Sequence, residues 1–319
     1  MKKIIVLFLL VMCFTINTVF AMENENYYVN DNGIRFSKEV YENFLKIGFN
    51  TSEIKTMNHN LFDSYKLMGD IQFEENVTKY FVETSVSNYN LTKTFVEEIT
   101  KEEYENERAF VNMLALPGDD SVSHETTYKK LELTSHKMSG ISGRKSVNVV
   151  LTWKKVPKVI SYDIIAARVT GGEIVKDTYT GSFRSIETKF GPHCEVAGEQ
   201  TYTKSYNPNY NGWNIQNGLL GEKGVGLTAK LSSGGSATCQ NDLGLLVSIP
   251  VGYVSDIHFQ VPDGTTIYAS YQHAKKSVNF DSVRRTYSFS NNGLGNVIYF
   301  SNSNLTSSYD GMAGVSLNV

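Results

Sequence analysis

The sequence has few cysteines and tryptophans, three and two in 319 residues, and few prolines, six in all. Beyond the first 21 residues no apolar run approaches the roughly 20 residues that a membrane-spanning helix needs, so the rest of the chain is predicted to be soluble. An excess of positive charge is also missing, because the formal net charge is -3. The overall charge therefore argues against a nucleic-acid-binding protein.

Residues 1–21 have the pattern of a signal peptide. Lys2 and Lys3 precede an apolar run from Ile4 to Phe14, and the small residue Ala21 completes a cleavage signature. The run is too short for a membrane anchor. We therefore expect export, cleavage after Ala21 and an extracellular location.

Cys194 and Cys239 are the two cysteines that remain after this cleavage. In an oxidising exterior, an isolated pair is more often a structural disulfide than a reactive site. A bridge that closes about 45 residues stabilises a fold by roughly 4 kcal/mol in the chain-entropy model. The sequence thus predicts a Cys194–Cys239 disulfide bond.

Composition changes near residue 118. Residues 22–118 contain nine basic and 17 acidic residues, whereas residues 119–319 contain 19 basic and 16 acidic residues. All six prolines lie at Pro117 or later, and 21 of the 25 glycines follow Gly118, which is typical of turn-rich β structure. We therefore predict an acidic, mixed helical and strand region over 22–118 and a β-sandwich domain over 119–319.

Short helices are predicted near the start of the acidic region. Ser37 is a good N-cap for a helix whose inward residues include Phe44, and Gly48 ends it. A second helix is expected after Thr51 and a third near Asn60. Two strands and a short acidic helix follow.

The second part consists of short β-rich runs separated by turns. The clearest lies near Gly224, where Val225, Leu227, Ala229 and Leu231 alternate with other residues. Repeated short strands without long helices between them favour an antiparallel β-sandwich over a parallel α/β sheet. The predicted fold class is therefore mainly β.

Four segments in this part are TWKKVPKVISYD from Thr152, YASYQHAKKSV from Tyr268, GLGNVIYF from Gly293 and YDGMAGVSL from Tyr309. They resemble segments of a group of uncharacterised exported proteins of Gram-positive bacteria. The resemblance covers most of the chain after Tyr128. It implies export and supplies no activity and no catalytic residue.

Motifs of enzymes and metal sites are not recognisable. His124 and Glu125 begin an H-E-x-x-H pattern, but residue 128 is tyrosine. The six histidines lack ligand-like spacing, and no nucleotide or serine-hydrolase motif occurs. The sequence therefore predicts no metal site and no cofactor.

Paired carboxylates remain an alternative, since a glycosidase needs only two acids at a suitable distance. Asp163, Asp256 and Asp310 lie in predicted strands or at their ends, where an enzyme built on a sheet carries such groups. Acids at these places more commonly hold turns or face solvent.

Aromatic residues suggest a contact surface instead. Tyr202, Tyr206, Tyr210 and Trp213 crowd a polar segment that we interpret as a long loop between the cysteines. Exposed tyrosine and tryptophan provide contact area and hydrogen bonds, although such a loop also packs its own rings on a sheet. The function predicted is non-catalytic binding of cell-envelope carbohydrate or an extracellular protein. The alternatives are a hydrolase with paired carboxylates and a membrane-inserting β-rich toxin.

Overall fold

The computed structural model describes residues 27–88, 91–107, 123–190, 196–231, 247–290, 297–310 and 312–319. In chain order, the elements in these ranges are β1 (Tyr27–Val29), β2 (Arg35–Ser37), α1 (Lys38–Lys46), α2 (Thr51–Thr56), α3 (His59–Tyr65), β3 (Ile71–Asn88), β4 (Leu91–Ile99), α4 (Lys101–Asn106), β5 (Ser123–Met138), β6 (Arg144–Trp153), β7 (Tyr162–Thr170), β8 (Thr180–Phe190), β9 (Val196–Tyr206), β10 (Trp213–Asn217), β11 (Glu222–Lys230), β12 (Val247–Pro262), β13 (Thr266–Gln272), α5 (Phe280–Val283), β14 (Tyr287–Phe289), β15 (Ile298–Phe300), α6 (Ser303–Thr306) and β16 (Val315–Asn318).

The larger sheet has seven antiparallel strands in the order β4-β3-β5-β6-β12-β8-β9. Strand β12 lies between β6 and β8, and its register places His258 opposite Asn148. Successive side chains of a strand point to opposite faces. Ile257 and Phe259 therefore face one side of this sheet, and Asp256 and His258 face the other.

A second sheet, in the order β10-β11-β7-β13-β16, packs on the first. The core between them includes Val149 and Leu151 from β6, and Ala167 and Val169 from β7, all buried. The predicted alternation in β11 is confirmed, because all its inward residues from Val225 onward are buried in this core. Apolar residues on facing strands thus hold the two sheets together.

A helical cap, which we define as β1, β2 and helices α1 to α3, covers the outer face of the larger sheet. Ser37 caps α1 as predicted, since its hydroxyl accepts a hydrogen bond from the Val40 amide at 3.2 Å. Phe44 is fully buried in the cap's own core. Gln260 on β12 ties the cap to the sheet by donating from Nε2 to the Ser64 carbonyl at 2.8 Å.

The outer face of the smaller sheet is also covered. Ile164 and Ala166 of β7 are buried beneath Tyr287, Phe289 and Tyr309 from the last part of the chain. The described residues therefore form four layers, namely the cap, the larger sheet, the smaller sheet and this C-terminal layer.

The predicted fold class is confirmed, because the structure is mainly β, with antiparallel sheets and a small helical region before them. The boundary near residue 118 was expected to separate two regions. Strands β3 and β4 precede it, yet β3 pairs with β5 along most of its length. The larger sheet therefore spans the predicted boundary.

Several predicted features lie outside the described residues. They are the signal peptide 1–21, the cysteines Cys194 and Cys239, and the segment 108–122 around the boundary. Within the described ranges, no helix is long and apolar enough to cross a membrane.

Candidate functional site

The β10–β11 hairpin ends in a turn that places two leucines in solvent. Leu219 is 92% exposed and Leu220 is 89% exposed, more than any other large apolar residue in the described ranges. The turn, residues 218–221, is closed by a hydrogen bond of 2.7 Å from the Gly218 amide to the Gly221 carbonyl. Single exposed apolar residues are common, but two adjacent ones at a protruding end form a patch that suits a contact. We call residues 218–221 the hairpin tip.

Glu173 fixes the backbone of the hairpin tip. Its carboxylate accepts hydrogen bonds from the amides of Leu219 at 2.9 Å and Leu220 at 2.6 Å. These two bonds, with a smaller contribution from Lys223, lower the pKa of Glu173 to about 2. Gly218 permits this approach, because a Cβ atom there would lie 2.2 Å from Oε1 of Glu173. The leucines are therefore held in place by an ionised carboxylate at neutral pH.

A cavity of about 500 Å³ adjoins the hairpin tip. Residues 171–175 and 219–221 form much of its wall, together with Arg144, Lys223 and Pro262. Its volume is within the range of small-molecule and side-chain pockets. The surface at this end of the sandwich thus combines a projecting apolar tip with a concave, partly charged wall.

The four aromatic residues predicted to form a contact loop lie elsewhere. Tyr202 and Tyr206 belong to β9 and Trp213 begins β10, so most of this segment is strand rather than a long loop. Tyr202 is 53% exposed, whereas Tyr206 and Trp213 are buried and Tyr210 is half-buried. The ring of Trp213 packs in the core and donates from Nε1 to the Asn207 carbonyl at 2.9 Å. The quartet is therefore not an exposed aromatic platform, because three of its four rings pack in or against the core of the sandwich.

Two of the three candidate acids meet at one place between the sheets. Asp163 on β7 accepts hydrogen bonds from Tyr271 and from the Ala274 amide, and its Oδ2 lies 2.9 Å from Nδ1 of His273. Asp310 accepts a hydrogen bond from the backbone amide of His273 at 2.9 Å. All of these side chains are buried. The acids are thus brought together, but their oxygens are bonded within the protein rather than open to a substrate.

Lys129 neutralises much of this charge. Its fully buried ammonium contacts Asp310, lies 3.0 Å from Oε2 of Glu83, and sits 4.6 Å from the centre of the Trp153 ring. Burial alone would lower the pKa of Lys129, but the attraction of Asp310 and Glu83 raises it above its ordinary value. The group is therefore charged, and the cluster has the features of a buried ion-pair network.

The third acid, Asp256, lies on the opposite face of the larger sheet, beneath the cap. With Glu53 of α2 and His258 it forms the one group of three potential metal ligands found in the described ranges, with ligand atoms within 4.8 Å of one another. Burial, followed by the charge of Asp256, raises the pKa of Glu53 to about 8. The sequence analysis predicted no metal site here. Two of these residues, Asp256 and His258, are two positions apart in a strand, and this spacing alone places both side chains on one face. The third, Glu53, comes from a distant helix, so the sequence pattern does not reveal the group.

No family model, curated protein or solved structure matches this chain.

Proposed function

We propose that this chain is an exported, non-catalytic binding protein that contacts another extracellular protein through the hairpin tip and the adjoining cavity. The observation that carries the proposal is the exposure of two adjacent leucines on a turn that Glu173 holds in one conformation. A preorganised apolar contact loses little conformational entropy on binding.

A protein partner fits this surface better than a carbohydrate. Carbohydrate recognition would favour an exposed aromatic platform, and Tyr202 alone among the four predicted aromatic residues is more than half exposed. Leu219 and Leu220 would insert into an apolar pocket of the partner protein. The cavity beside the hairpin tip would accept a side chain from that partner. Arg144 and Lys223 at the cavity wall supply charges that set orientation.

The hydrolase alternative has less support, because Asp163 and Asp310 are buried and bonded to protein groups. Export itself rests on the signal-peptide pattern of residues 1–21 and on the resemblance to exported proteins.

The test presents the immobilised chain to a phage library of random 15-residue peptides, followed by affinity measurements on the enriched peptides. We expect peptides with apolar anchors that bind the Leu219→Ser/Leu220→Ser variant at least about tenfold more weakly, since burying one leucine is worth about 1.5–3 kcal/mol. The control is Leu67→Ser, because Leu67 is 68% exposed but follows helix α3 of the cap and is not part of the hairpin tip.

Two results would refute the proposal. One is the absence of any peptide that distinguishes the double variant from the Leu67→Ser control. The other is leucine-dependent binding to phosphatidylglycerol vesicles without peptide binding, which would make the hairpin tip a membrane anchor.

A further inference from the structure

Three potential metal ligands converge beneath the cap, on the face of the larger sheet that is turned away from the core. Nε2 of His258 lies 3.5 Å from Oδ1 of Asp256 and 3.6 Å from Oε2 of Glu53. A tetrahedral zinc ion with bonds of about 2.0–2.2 Å separates its ligand atoms by about 3.3–3.6 Å. These distances are long for hydrogen bonds and suit ligands that share one ion.

Unsatisfied atoms at the same place are the second observation. Both ring nitrogens of His258 and Oε1 of Glu53 lack a hydrogen-bond partner in the described residues, although both side chains are fully buried. Asn148, directly opposite His258 on β6, is also buried with an unpartnered Oδ1. Buried polar groups without partners are costly and rare in native proteins. A bound cation would give a partner to Nε2 of His258 and to the carboxylate of Glu53.

Neighbouring groups hold the carboxylates in position. Asn50, the N-cap of α2, donates to Oε2 of Glu53 from its amide at 3.0 Å and from Nδ2 at 2.7 Å. Ser182 donates to Asp256 from its amide at 3.1 Å and from its hydroxyl at 2.8 Å. Such bonds orient metal ligands in known sites.

We propose that Glu53, Asp256 and His258 bind a divalent transition-metal ion, with zinc the best fit to one imidazole and two carboxylates. The ion joins a helix of the cap to the central region of the larger sheet, across some 200 residues of chain. Its role in this position is to fasten the cap to the sandwich.

The experiment uses the full chain without a polyhistidine tag, stripped with EDTA and titrated with zinc chloride by calorimetry. We expect one equivalent to bind and to raise the thermal midpoint, and X-ray absorption to show nitrogen and oxygen ligands at about 2.0–2.2 Å without sulfur at about 2.3 Å. His258→Gln and Glu53→Gln should each weaken binding more than tenfold. His59→Gln, at an exposed histidine, is the control and should bind as the unmodified chain does.

The proposal is overturned if the unmodified chain binds no zinc, if the metal shell contains sulfur, or if both site variants bind as tightly as the control. If the variants do not fold, the stoichiometry and the ligand shell of the unmodified chain decide the matter.

Discussion

Substitutions of Lys129 test how much its buried ion pairs contribute to the stability of the packing between the two sheets. Lys129 is fully buried, and its ammonium contacts both Asp310 and Glu83. Lys129→Met keeps most of the side-chain volume but leaves two carboxylates buried without their cation. Removing one partner of a buried ion pair typically costs about 3–5 kcal/mol. Because two carboxylates lose their partner here, we expect the upper half of that range, about 4–5 kcal/mol.

The companion variant replaces all three groups by uncharged ones, as Glu83→Gln, Lys129→Met and Asp310→Asn together. The ion pairs of Lys129 are then removed as a unit, while Asp163 stays paired with His273 at 2.9 Å. Replacement of buried ion pairs by well-packed uncharged residues of similar volume is often nearly neutral. We therefore expect the triple variant to regain most of the stability that the single variant loses.

The assay is urea unfolding at pH 7, followed by tryptophan fluorescence. The surface control is Lys79→Met, since Lys79 pairs with Glu98 at 2.8 Å but both side chains are about a third to a half exposed. Exposed pairs contribute about 0–1 kcal/mol. A loss below about 1 kcal/mol for Lys129→Met, or a triple variant no more stable than the single one, would refute the reasoning.

Three further predictions concern the β10–β11 hairpin and Glu173, which binds the hairpin tip. Glu173→Gln weakens the hydrogen bonds from the Leu219 and Leu220 amides, so hydrogen exchange at these amides should be faster than in the unmodified chain. The thermal midpoint should stay within about 2 °C of that of the unmodified chain, and unchanged exchange would contradict the prediction. Trp213→Ala should lower the free energy of unfolding, measured with urea, by about 3–5 kcal/mol because the ring is buried. A decrease under about 1 kcal/mol would show that the ring does not contribute to the core. Burial, then Asp177, raises the pKa of Glu222 to about 7, so its ionisation destabilises the fold as pH rises from 4.5 towards 7. Glu222→Gln should therefore be more stable than the unmodified chain above pH 7, by up to about 3 kcal/mol, with no difference below pH 4.5. A constant difference across this range would exclude the assignment.

Local signals in the sequence predicted local structure well. Ser37 caps α1 as expected, and the alternation from Val225 marks the inward face of β11. These features depend on residues a few positions apart, so the sequence alone contains the necessary information.

Features that depend on distant residues were not predictable in the same way. The segment containing Trp213 is rich in Asn, Gly and Pro, which favours a loop, but its ring is buried because strand pairing with β11 turns it into the core. Lys129 lies on the same face of β5 as Leu131 and Leu133, but nothing near it in the sequence indicates its partner Asp310, 181 positions away. The hairpin tip was also missed, since two leucines beside glycines are no different in sequence from core residues.

The placement of β12 between β6 and β8 affects when the chain can fold. The cap emerges first during synthesis, but the strand face that it covers includes His258 and Gln260, about 200 residues later. A sheet with an interior strand that is made so late has many contacts between distant residues, and such topologies fold slowly. The contacts of the larger sheet can therefore be completed only after the chain has been made as far as β12, which ends at Pro262.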